Sequence, residues 1–198
     1  MTADIDAAAD AIRRGDLVVY PTETVYGLGA DALDADAVER VYAAKRRPRG
    51  DPVSVAFPSA DAAFAHTAPS DAARDFMDAV LPGPVTPLVP RRETIPDAVT
   101  AGGALVGVRV SSHDVPRRLT ERAGPITSTS ANRSGEPSAT SADAVDAAIR
   151  DAAAVVLDAP CCEEGEGSTV VDTEDWRIVR RGARVDAVEH WIEAHVDG

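Results

Sequence analysis

The sequence predicts an α/β protein built on a mixed β-sheet, and three observations lead there. Segments of helical and strand period alternate along almost the whole chain, which favours helices layered on a sheet. The stretch "STVVDTEDWRIVR" (168–180) reads as a hairpin, so at least one strand pair is antiparallel. A chain of 198 residues, 44% of them apolar, is long enough for a good core, and no internal repeat, long linker or low-complexity segment divides it. Aromatic residues make up only 4%, so Ala, Val, Leu and Ile must fill that core.

The elements follow in order. Residues 3–14 form an amphipathic helix, and "LVVYPT" (17–22) is a strand. A helix from about Asp36 carries Val38, Val41 and Tyr42 on one face and delivers Lys45 at its C-terminal end. "VSVAF" (53–57) is a short strand, and Ser59 and Ser70 are N-caps for the next two helices. "VTPLV" (85–89) and "ALVGVRV" (104–110) are strands. A helix spans 114–122, with Pro116 tolerated in its first turn. After "PITSTSAN" (125–132) come a helix capped near Ser141, the strand "AAVVLDA" and the loop "PCCEEGEG". The hairpin strands (168–172 and 176–180) and a helix over 185–196 complete the pattern.

Bulk properties exclude several classes. No apolar run approaches the ~20 residues needed to span a bilayer, and the acidic, amphipathic N-terminus is wrong for a signal peptide. The chain reads as soluble and cytoplasmic. Cys161 and Cys162 are adjacent, so they form no unstrained disulfide, and no His or second Cys pair stands at zinc spacing. A net charge of −13 argues against non-specific binding to phosphate backbones. Acid spread along the chain, with arginine replacing lysine almost everywhere, looks like adaptation to high salt.

Against that acidity stands "AAKRRPRGDP" (43–52), the densest basic cluster, which holds Lys45, the only lysine in the chain. Lys45 and Arg47 fall two apart where a helix runs into a Pro-bounded loop, so both can reach one anion; the alternative is a solvated patch that complements the helix dipole. "PTET" places Thr22, Glu23 and Thr24 at the carboxyl edge of a buried strand, where open α/β sheets take ligands, or forms a polar turn after Pro21. "STSANRSG" offers a hydroxyl-lined strand end with Ser128 and Ser130 on one face, suited to phosphate or carboxylate, or is a Ser/Thr-rich loop. Arg109 lies inside an apolar strand and needs an anionic partner, either an internal acid or a substrate carboxylate held bidentately. A glycine loop leads into Ser168 and Thr169, and Arg180 offers a further cation. "GLGADA" superficially matches a dinucleotide fingerprint, but "PTETVY" separates it from the preceding strand, and it is set aside. No catalytic dyad, paired-carboxylate site or nucleophile elbow is evident, which suits phosphoryl or nucleotidyl transfer, where positioning and charge stabilisation dominate.

Together, "PTETVYGLGADA", "AKRRPRGDP", "PGPVTPLV", "VGVRV", "SANRSGEPS", "GSTVVD" and "IVRRG" stand in the order found in YrdC-like L-threonylcarbamoyladenylate synthases, and the resemblance covers about residues 8–184. It implies a twisted mixed sheet flanked by helices around a concave ligand cavity. It also implies condensation of L-threonine, bicarbonate and ATP to threonylcarbamoyl-AMP and pyrophosphate, for tRNA threonylcarbamoyl adenosine. The carbamate formed on threonine's amine attacks the α-phosphate, so no enzyme nucleophile is required. By the resemblance, Lys45 and Arg47 are catalytic and bind ATP with Ser130, Asn132, Ser138 and Arg180. Thr24, Arg109, Ser128 and Ser168 hold threonine, with Arg109 on its carboxylate. Mg2+ accompanies ATP, and tRNA is met only through a downstream transferase.

Departures from the family pattern are Asp51, where many relatives have Lys or Asn, Val53 for Leu, and Ala56 where longer relatives carry a threonine-pocket His. Those relatives add a C-terminal domain, whereas residues 1–198 read as a single domain without one. Competing readings are the carbamoyl-adenylate-forming domain of hydrogenase maturation, which comes with modules not seen here, and a double-stranded RNA- or tRNA-binding module.

Overall fold

Nine strands form one sheet in the order β7-β1-β2-β6-β3-β5-β4-β8-β9 in the computed structural model, which describes residues 4–160 and 166–196. In chain order the elements are α1 (Ile5–Arg13), β1 (Leu17–Tyr20), β2 (Gly27–Gly29), α2 (Ala35–Lys45), β3 (Ser54–Ala56), α3 (Ala60–Phe64), α4 (Asp71–Val80) and β4 (Val85–Pro90). Then follow α5 (Asp97–Thr100), β5 (Leu105–Arg109), α6 (Asp114–Ala123), β6 (Ile126–Ser130), a 3-10 turn at Ala142–Ala144, α7 (Ala147–Ala152), β7 (Ala153–Val156), β8 (Thr169–Asp172), β9 (Arg177–Arg180) and α8 (Val185–His195). The sheet is mixed: β1/β7, β3/β5 and β4/β8 are parallel, and the other neighbours, including the β8–β9 hairpin, are antiparallel. Cys161 and Cys162 lie outside the described residues. Among those described, no helix is long and apolar enough to cross a membrane.

Local chemistry sets most boundaries. Asp4 caps α1 by accepting the Ala7 N–H at 3.0 Å, and Ser59 and Ser70 cap α3 and α4 by accepting from Ala62 and Ala73. Strand β1 stops at Tyr20 because Pro21 has no N–H to continue the ladder. The region after Ser141 differs from the continuous helix expected there. Ser141 caps only a single 3-10 turn, Val145 turns extended and is buried, and Asp146 then caps α7 through the N–H groups of Ala148 and Ile149. Burying Val145 in the cluster of Leu28 and Ile149 breaks the helix, and a second Asx cap restarts it.

Strand β2 was not expected, because glycine disfavours strands. Its glycines are required by close approach. A Cβ at Gly27 or at Gly29 would lie 2.8 Å from the Tyr20 ring, so only bare backbone packs beside β1 there.

The period-2 alternation of the central strands decides what each face of the sheet does. Val55, Val106, Val108 and Val89 point into one core with Tyr42, Met77 and Val99, and burying a Val contributes about 1.5–3 kcal/mol. The intervening residues, Ser54 of β3, Thr86 and Leu88 of β4, Leu105, Gly107 and Arg109 of β5, and Ser128 and Ser130 of β6, line an open concavity instead.

Candidate functional site

The concavity has a volume of about 540 Å³, within the ordinary range for a small-molecule site. Register brings its floor together: Ser54 pairs with Ser128, and Gly107 pairs with Leu88. A Cβ on Gly107 would come within 2.5 Å of Ser54 Oγ, so the floor is kept low there. Sequence reasoning missed Ser54, Thr86 and Gly107. The signal was the strand period itself, since Thr86 and Ser54 occupy the same alternation as the residues it did select.

At one end, β1 runs into a turn in which Thr22 Oγ1 accepts the N–H groups of Thr24 and Val25 at 3.1 and 3.2 Å. This turn brings Thr24 to the cavity wall and leaves Glu23 buried behind it. Arg109 is 7% exposed and lines the same end. Its guanidinium donates to Glu23 Oε1, to the Gly83 carbonyl and, at 2.6 Å, to the Val85 carbonyl. Of the two partners the sequence left open for Arg109, the internal acid is therefore present. Nearby, Tyr20 donates to the Thr127 carbonyl at 3.3 Å, and burial above all pushes its phenol up to about 12.

Across the sheet, Ser168 stands at the start of β8. Its Oγ lies 2.7 Å from Thr86 Oγ1 and accepts from Arg180 Nη2 at 2.9 Å, while the Ser168 carbonyl accepts from Arg180 Nε and Nη2. The "RRG" motif has a packing reason: a Cβ on Gly182 would meet the Gly167 carbonyl at 2.1 Å, so a glycine is needed for β9 to close on Ser168. Burial first, then the charges of Arg109 and Arg47, lower the pKa of Arg180. Arg180 thus feels both other guanidiniums across the cavity, and an anion placed there would relieve that repulsion.

Lys45 and Arg47 are separated by the backbone. Arg46 takes the left-handed conformation at the C-terminus of α2 (φ 50°), which turns the two side chains apart. Arg47 lines the cavity and donates to the Asp51 and Pro52 carbonyls at 3.0 and 2.9 Å. Lys45 is 1% exposed and lies behind the wall, its ammonium donating to the carbonyls of Ser130 and, at 2.7 Å, Asn132. Burial chiefly, with Arg47 second, lowers its pKa to about 8. The expectation that both cations reach one anion thus meets a different arrangement in this structure: Arg47 faces the cavity, and Lys45 supports the turn after β6.

Asn132 braces that turn too, donating from Nδ2 to the Arg133 and Glu136 carbonyls at 2.8 and 2.7 Å; its buried Oδ1 has no hydrogen-bond partner among the described residues. Like Lys45, it is not among the lining residues, whereas Thr24, Arg47, Arg109, Ser128, Ser130, Ser138, Ser168 and Arg180 all are. The Asp51 side chain points to solvent, and Ala56 is buried among apolar residues beside Ile126.

The family model for Sua5, YciO and YrdC proteins, described as "Telomere recombination", matches residues 10–182. The threonylcarbamoyl-AMP synthase of Pyrococcus abyssi (strain GE5 / Orsay) is 39% identical over 178 residues, which span 87% of this chain and 51% of that protein. The threonylcarbamoyl-AMP synthase of Xanthomonas campestris pv. campestris (strain B100) is 36% identical over 183 residues, 90% of this chain and 98% of that one. The crystal structure of P. abyssi Sua5 complexed with L-threonine superposes with a TM-score of 0.90 at 36% identity, covering 95% of this chain and 57% of its own. The chain therefore spans about half the length of its archaeal relative.

Proposed function

The chain belongs to the Sua5/YciO/YrdC family, and from that premise we propose that it is a threonylcarbamoyl-AMP synthase, condensing L-threonine, bicarbonate and ATP with release of pyrophosphate. The observation that carries the proposal is the set of three guanidiniums, Arg47, Arg109 and Arg180, around one cavity whose other polar lining is Ser and Thr hydroxyls, interspersed with glycine and apolar positions such as Leu88, Leu105 and Val170. Such a site fits a substrate set that combines a carboxylate with a polyphosphate. The threonine complex of the Pyrococcus relative supports placing the amino acid here.

In this reading Arg109 takes the threonine carboxylate, and the hydroxyls of Thr24, Ser128 and Ser168 surround its amine and side chain. Threonine's amine and bicarbonate give the carbamate and water. A carbamate oxygen then attacks the α-phosphate of ATP, and pyrophosphate leaves. Arg47 and Arg180, with Ser130 and Ser138, stabilise the charge that moves onto the leaving group, where fixed donors in a partly dry site contribute most. Lys45 and Asn132 hold the Ser130 end of the wall. Among the described residues no group of three or more His, Cys, Asp or Glu side chains could hold a metal ion. In this reading magnesium enters on the triphosphate as part of the substrate. The activity belongs to the cytoplasm, and tRNA meets the product only through a separate transferase that consumes the adenylate.

Pyrophosphate release from ATP, measured in bicarbonate buffer with and without L-threonine, tests this. Threonine-dependent release is expected. Release that is equal in both, or tRNA binding in moderate salt that needs neither substrate, would overturn it in favour of another adenylating or an RNA-binding activity.

A further inference from the structure

The reaction outlined above gives Glu23 no part, yet Glu23 is 7% exposed and has both carboxylate oxygens engaged. Oε1 accepts from Arg109 Nη2, and Oε2 accepts from Ser111 Oγ. Ser111 is itself fixed, because its Oγ also accepts the His113 N–H at 3.1 Å in the turn that leads into α6. On the other side, Arg109 Nη1 donates to the Gly83 and Val85 carbonyls. The side chains of the ion pair are each 8% exposed.

Such a pair adds little stability over an apolar replacement, since desolvating two charges offsets most of their attraction. Its effect is geometric. A guanidinium has five N–H donors in one plane. With Nη1 donating to two carbonyls and Nη2 to Glu23, the plane cannot rotate, and Nε has no hydrogen-bond partner among the described residues. Nε and Nη2 form the side-on edge of the fork, an edge that a carboxylate can take bidentately.

We propose that Glu23, steadied by Ser111, is a positioning residue that aims the free edge of Arg109 at the carboxylate of the amino-acid substrate. This rests on the reading of Arg109 as the carboxylate site. Glu23 acts only through Arg109 and touches no reacting atom.

Glu23→Asp separates position from charge, because the shorter side chain keeps the carboxylate but cannot span both Arg109 and Ser111. The expected result is a threonine KM raised about 10- to 100-fold, as for a misaimed contact, with the ATP KM within about twofold. Calorimetric binding of L-threonine and L-threoninamide supplies the discriminating readout. The wild-type protein should prefer threonine, and Glu23→Asp should lose that preference, whereas a general loosening of the site would weaken both ligands alike. A folded Glu23→Asp protein with the wild-type threonine KM and preference would overturn the proposal. Should that variant not fold, Ser111→Ala decides, since it keeps both buried charges: a several-fold rise in threonine KM supports the brace, and an unchanged KM removes it. Absence of threonine-dependent release in the wild-type protein would instead count against the proposed function itself.

Discussion

Arg47 and Lys45 show how far apart two residues of one motif can act. Arg47 faces the cavity, so Arg47→Ala should cost about 2–4 kcal/mol of transition-state stabilisation, read as kcat/KM for ATP. A rate near wild type would remove Arg47 from the phosphate site. Lys45 has a folded pKa of about 8, below its ordinary 10.5, because burial penalises the ammonium. Two opposite pH trends follow. Between about pH 8 and 10.5 the unfolded chain holds the Lys45 proton more tightly than the folded one, so the contribution of this residue to stability rises with pH and is least favourable below 8. Activity runs the other way: if the ammonium is needed, kcat/KM for ATP falls as pH rises through about 8, and the limb disappears in Lys45→Arg, whose guanidinium stays charged. A limb that persists unchanged in Lys45→Arg would assign it to another group. The sequence made the basic cluster visible but not this division of labour, because a left-handed backbone at an arginine leaves no compositional trace.

At the scale of elements, the cap of α2 and the β8–β9 edge are the sensitive joints. Arg46 is exposed and pays conformational strain at φ 50°, so Arg46→Gly should raise stability by about 0.5–1 kcal/mol in denaturant unfolding while leaving the site intact. Gly182→Ala should do the reverse. Its methyl would collide with the Gly167 and Ser168 backbone, destabilising by about 1–3 kcal/mol and moving Ser168 and Arg180, with loss of activity beyond the loss of folded protein. Wild-type stability in that variant would mean the strand can shift without cost. Elements with strong periodicity or side-chain caps, such as α1, α3, α4, β5 and the β8–β9 hairpin, were legible in the sequence. Strand β2 was not, because what holds its glycines in a strand is the Tyr20 ring, a contact that no local pattern announces. The break after Ser141 was missed for a similar reason, since burial of Val145 overrides the helical pattern around it.

For the whole molecule, sheet order and charge matter most. The order β7-β1-β2-β6-β3-β5-β4-β8-β9 places β6 between β2 and β3, which brings Ser128 beside Ser54 and Ser130 beside Gly27, on the cavity floor that Arg109 also lines. The motifs were readable one by one, but their meeting depends on this non-sequential pairing, and only the family resemblance anticipated it. The charge of −13 spreads over a surface whose ion pairs, such as Arg181–Glu189 and Arg14–Asp16, are exposed and screened by solvent, so they do little to offset it. Self-repulsion should therefore dominate at low ionic strength, and Tm should rise as KCl is increased from about 0.1 to 1 M, where the Debye length shrinks to about 3 Å. A flat or falling Tm would show that the acidic surface costs the fold nothing. The identity of the product decides the activity. Incubation with 13C-bicarbonate, ATP and L-threonine, followed by mass spectrometry, should show an adenylate of threonine carrying one labelled carbon at its carbamate. Pyrophosphate release that yields an unlabelled adenylate, or no threonine in the product, would contradict it.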